Sequence, residues 1–69
     1  MPLSMLGKGE EGLVSRIGGN DETRRFLEGL GFVVGTPVSV VNEMNGNIIC
    51  TVKNCRIAIS KEMAQKIWV

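Results

Sequence analysis

The sequence has no histidine and no tyrosine, and its only aromatic side chains are Phe26, Phe32 and Trp68. Without histidine, the side chain most often used as a general acid or base near neutral pH is missing, and so is a common zinc ligand. No serine is paired with a base, and Gly7-Lys8-Gly9 lacks the spacing and the Lys-Ser/Thr ending of a phosphate-binding loop. An excess of either charge is missing too. Eight Lys and Arg stand against seven Asp and Glu, for a net charge of +1, with the signs interspersed. A nucleic-acid module carries a basic stripe, and the nearest approach to one is Arg24-Arg25, flanked by Asp21, Glu22 and Glu28. No apolar run approaches the ~20 residues that cross a bilayer. The opening Met1-Pro2-Leu3-Ser4-Met5-Leu6 has neither the basic region nor the apolar stretch of an export signal. Cysteine is scarce, with Cys50 and Cys55 only. The expectation is a cytoplasmic protein with free thiols. It is expected to bind a partner rather than catalyse, without nucleic acid, membrane insertion or a resident cofactor.

What is present reads as a small β-rich domain. A chain of 69 residues has room for one domain, residues 1–69. A domain of that size buries only roughly 60% of its unfolded surface. Nine glycines divide it into short elements. Leu13-Val14-Ser15-Arg16-Ile17 is expected to be the first strand, with Leu13, Ser15 and Ile17 on one face. Asn20-Asp21 is a helix start, with Asn20 able to accept from free first-turn N–H groups and acidic Asp21 and Glu22 suited to the helix dipole. The helix is expected to reach about Leu30, with Phe26, Leu27 and Leu30 as its apolar stripe and Gly31 as the terminating residue. Val33-Val34-Gly35-Thr36 reads as a turn, and Pro37 opens the next strand, which runs to Met44. Asn45-Gly46-Asn47 turns the chain into a third strand, Ile48 to Val52.

The two-residue connection Lys53-Asn54 then sets a register. Val52 faces Cys55, Cys50 faces Ile57, and Ile48 faces Ile59, all on one side. A helical turn from Lys61 to Lys66, capped by Ser60, leads to a last strand, Ile67-Trp68-Val69. The sum is mainly β with one short helix, five short strands closing into a small barrel that removes sheet edges.

Few residues are candidates for chemistry. Cys50 and Cys55 cannot complete a four-ligand zinc site. Cys50 belongs on the core face, and the two thiols are diagonal neighbours rather than a disulfide. The acidic residues Glu10, Glu11, Asp21 and Glu22 are candidates to bind a hard cation or ferrous ion, but they lack the spacing of a calcium loop. Arg24-Arg25 either grips an acidic partner or forms a solvated face with Arg24 paired to Glu28. Trp68, with inward neighbours on both sides, is expected to point outward as a binding anchor or to fold over the barrel end.

Residues Arg24-Arg25-Phe26-Leu27-Glu28-Gly29-Leu30-Gly31-Phe32, followed by Val34-Gly35-Thr36-Pro37-Val38, resemble the R-R-L-x-E-L-G-F-x-P-G-T-x-V signature of the FeoA family. Gly12 to Gly18 is similar to that family's G-x-V-x-x-I-x-G opening, and Ile48 to Ile59 resembles its hairpin, with Arg56-Ile57-Ala58-Ile59 the best match. Ala64, Ile67 and Val69 fit its ending. Val34 stands where the family has proline, Asn54 where it has the hairpin glycine, and Gly29 replaces a larger helical residue. The resemblance implies an SH3-like barrel decorated by the helix. It also implies a cytosolic accessory of ferrous iron uptake that docks on the membrane GTPase transporter FeoB, assisting its assembly or gating. Partner contacts are then expected from Arg24, Arg25, Phe32, Val33 and Trp68. The same barrel resembles the C-terminal domain of iron- and manganese-dependent repressors. That implies the alternative of a metal-responsive module, binding Fe²⁺ or another divalent ion weakly.

Overall fold

The computed structural model describes residues 1–69. A 3-10 turn, Leu3–Met5, precedes β1 (Glu11–Leu13), β2 (Arg16–Ile17), α1 (Asp21–Gly29), β3 (Pro37–Met44), β4 (Asn47–Val52), β5 (Cys55–Ser60), α2 (Lys61–Ala64) and β6 (Ile67–Trp68). The strands make a four-stranded antiparallel sheet, β1-β3-β4-β5, and a two-stranded sheet, β2-β6. The expected five-stranded closed barrel is thus six short strands in two sheets that do not join into one hydrogen-bonded ring.

The difference begins at Val14. The expected first strand is broken there, because Val14 leaves β1 to exchange backbone hydrogen bonds with the turn before β3. Its N–H donates to the Thr36 carbonyl and its carbonyl accepts from Gly35. Ser15 then joins the second sheet through its N–H to the Trp68 carbonyl at 2.7 Å. This switch reverses the alternation. Val14 and Ile17 are buried while Leu13 is 61% exposed, so Leu13 and Ile17 do not share a face.

Within the β3–β4–β5 meander, the β4–β5 hairpin follows the expected register: Val52 faces Cys55, Cys50 faces Ile57, and Ile48 faces Ile59. Asn45-Gly46 and Lys53-Asn54 link the strands, all four with positive φ, as two-residue turns matched to the strand twist require. Val41 is an extra residue in β3, opposite no partner, and bends that strand. Two caps act as expected. The Asn20 side chain accepts from Thr23 N–H at 2.8 Å, and the Ser60 hydroxyl accepts from Met63 N–H at 3.2 Å.

The core draws Leu3, Val14, Ile17, Leu27, Phe32, Val38, Val40, Ile48, Cys50, Val52, Ile59, Ala64 and Ile67 from both sheets, both helices and the 3-10 turn. Met1 and Val69 exchange backbone hydrogen bonds, and Pro2 bridges Trp68, so the N-terminal residues flank β6 on the side away from β2.

Candidate partner-binding surface

The exit of α1 decides which sequence candidates reach solvent. Gly31, at φ 111°, donates to the Glu28 carbonyl at 3.0 Å, and Phe32 N–H donates to the Leu27 carbonyl at 3.1 Å. These are the two bonds of a Schellman closure, which turns the residue after the glycine back onto the last helical turn. Phe32 is therefore fully buried with Leu27. Its expected place among the exposed contacts is corrected: it is a core residue.

Arg24 and Arg25 do lie on the exposed side of α1. Arg24 donates to Asp21 Oδ1 at 2.6 Å rather than pairing with Glu28, because Asp21 lies one turn back and is better placed at the helix start. Arg25 carries no ion pair. Val33 is 39% exposed immediately after the helix exit. Trp68 is half-buried on β6, with the Arg16 guanidinium 4.8 Å above its ring centroid. A cation at that distance is attracted to the ring face. The structure thus keeps Arg24, Arg25 and Val33 on one helix and its exit, and sets Trp68 apart on β6 beside Arg16.

Three exposed apolar residues escaped the sequence reading. Phe26 is 54% exposed rather than part of the buried stripe, and with Asn20, Glu22, Thr23 and Met63 it lines an open groove between α1 and α2 of about 350 Å³. Val34 is 64% exposed in the turn that Gly35 closes at φ 91°, and Leu13 faces Pro37 on the neighbouring strand. Val14 ties these last segments together through Gly35 and Thr36, so Leu13, at the end of β1, adjoins the loop that carries Val33 and Val34. A signal for Val34 was legible: it occupies the corner before a turn glycine, where a side chain points out. None was legible for Leu13.

The acidic and sulfur residues do not converge. No three His, Cys, Asp or Glu side chains are grouped to hold a metal ion. Glu10 instead accepts from Gly7 N–H, closing its own loop. Cys50 is buried and Cys55 exposed, both free. Burial pushes the Cys50 thiol up from its ordinary 9.0 to about 11, so at neutral pH it remains a protonated core group rather than a thiolate ligand. Gly29 has open space where a Cβ would lie, with no packed neighbour approaching it.

With this geometry the chain compares closely with known proteins. An Fe(2+) transport protein A of Methanocaldococcus jannaschii is 32% identical over 68 residues, covering 99% of this chain and 83% of that protein. The zinc complex of Stenotrophomonas maltophilia FeoA, a prokaryotic SH3 domain protein, superposes with a TM-score of 0.87 at 28% identity, over 100% of this chain and 88% of that one. The two-sheet arrangement is therefore SH3-like, as the resemblance implied. A manganese-dependent transcriptional repressor shares the fold, with a TM-score of 0.88 at 24% identity over 100% of this chain and 40% of that one. The FeoA domain matches residues 1–69, the whole length over which the helix, its glycine exit and the meander are laid out, and the chain belongs to the FeoA family of ferrous iron transport proteins.

Proposed function

We propose that this protein is a cytosolic accessory of ferrous iron uptake that docks on the cytosolic domain of the membrane GTPase transporter FeoB and assists its assembly or gating. The observation that carries the reading is membership of the FeoA family over the whole chain. Beside it stands a cationic and apolar surface at α1 and its exit, made of Arg24, Arg25 and Val33, with exposed Phe26 and Val34 adjoining. Trp68 is a second contact point on β6. Phe32 enters only indirectly, by holding the helix exit in place. A binding role also agrees with a sequence that has no histidine and pairs no serine with a base. No helix of the protein is long and apolar enough to cross a membrane. The metal-responsive alternative has no convergent ligands in this chain to favour it.

Pull-down of the purified chain with the transporter's cytosolic domain tests the reading. Arg24→Glu with Arg25→Glu, and separately Val33→Asp, are expected to abolish capture while leaving the melting temperature nearly unchanged, since these side chains are exposed. Phe32→Ala is expected to lose capture only together with the fold, at a cost of about 3–5 kcal/mol. Failure of the native chain to bind, with normal ferrous uptake in a deletion strain, rejects the proposal.

A further inference from the structure

β5 is the open edge of the four-stranded sheet. In a hairpin closed by two residues, the pair next to the turn is hydrogen-bonded and the pairs then alternate. Cys55, Ile57 and Ile59 therefore direct their backbone groups at β4, while Arg56, Ala58 and Ser60 direct theirs away from it. No other backbone hydrogen bond involves Arg56 or Ala58, and all three outward-bonding residues are exposed. Such an unpaired edge is a template for a strand.

We infer that this edge takes a second copy of the chain, β5 pairing antiparallel with β5 about a two-fold axis at Ala58. The sequence is self-complementary in that register. Ala58 meets Ala58 of the second copy as a hydrogen-bonded pair with no side-chain bulk at the axis. Ser60 N–H meets the Arg56 carbonyl, the Ser60 carbonyl being committed to the cap of α2. On the inner face, half-buried Ile57 meets Ile59 of the other copy and extends the apolar row. Charge complementarity identifies the occupant. Arg56 and Glu62 are both exposed, and neither forms an ion pair within the chain. In this register each Arg56 lies opposite the other copy's Ser60; Lys61 beyond it is engaged by Glu43, which leaves Glu62, in the first turn of α2, as the unpaired charge nearest that position. A contact of this kind is isologous and closes at a dimer.

Sedimentation of the full chain from micromolar to millimolar concentration tests the inference. A reversible monomer–dimer equilibrium is expected. Ala58→Pro is expected to abolish the dimer and keep the fold, because its lost N–H faces solvent and not β4. Arg56→Glu and Glu62→Arg are each expected to weaken dimerisation about tenfold or more, and the double reversal to restore it. Hydrogen exchange at the Ala58 amide is expected to slow as the dimer fills. A chain that stays monomeric at every concentration overturns the inference. So does a dimer indifferent to the charge reversals, or an edge occupied instead by a strand from a different protein.

Discussion

At the residue scale, the two cysteines occupy the same face of one hairpin yet differ in environment. Cys50 faces Ile57 in the covered part of the sheet, while Cys55, opposite Val52, sits at the turn and is exposed. Exposed Cys55 is expected to react with a thiol reagent such as DTNB at once, and Cys50 only as fast as the fold opens. Burial also makes Cys50 a source of pH dependence. The unfolded thiol ionises near 9.0 and the folded one near 11, so above pH 9 the unfolded state binds fewer protons. Stability from this group is intact below pH 9 and falls as pH rises toward 11, by roughly 3 kcal/mol in total. Cys50→Val is expected to flatten the urea-unfolding curve against pH over that window, relative to the native chain. An unchanged pH slope would overturn the assignment of that dependence to Cys50. The burial of Cys50 was legible, because strand alternation and the Lys53-Asn54 turn agreed on its face. That of Phe32 was misread, although its signal was present. An apolar residue directly after a helix-ending glycine is the one a Schellman closure folds inward, and the exposed position is Val33, one residue later.

At the element scale, α1 is held by its ends. Asn20 caps one end and the Gly31 closure the other, while Leu27 alone is fully buried between them. Nine residues are too few to sustain a helix by propensity. Gly29 weakens it further, having helical backbone and open space around the missing Cβ. Gly29→Ala is therefore expected to stabilise the protein by about 0.5–1 kcal/mol, read as a higher midpoint in urea with an unchanged slope. A loss of stability would mean that the helix end is strained in a way the open space does not reveal. The β4–β5 hairpin, whose turn and alternation agree, was legible residue by residue. Two pieces were not. The 3-10 turn at Leu3–Met5 is too short to carry a period, though Leu3 is completely buried. The break at Val14 depends on the turn at Gly35-Thr36, more than twenty residues away along the chain, and no local pattern announces it.

At the scale of the whole molecule, the two sheets are too small to stand apart. The β2–β6 pair has Arg16–Trp68 and Ile17–Ile67 as its ladder and contributes only Ile17 and Ile67 to the core. An isolated two-stranded pair is at best marginal in water. Its stability must come from the shared cluster, in which Val14 of the link, Leu3 of the 3-10 turn and Ala64 of α2 pack with the β3–β4 residues. One cooperative transition is expected, and the protein carries its own probe for it. Trp68 is the sole tryptophan and lies in the small sheet, where it also contacts Arg16 and bridges Pro2. Its fluorescence reports that sheet, whereas far-UV circular dichroism is dominated by the larger one. In urea the two signals are expected to share a midpoint. Leu3→Ala is expected to move both together, by about 2 kcal/mol or more, although Leu3 belongs to neither sheet. A tryptophan transition preceding the dichroic one would mean that β6 and the N-terminal residues open as a separate unit. Coincident curves that shift in parallel would establish the shared cluster, rather than either ladder, as what holds the two sheets in one domain.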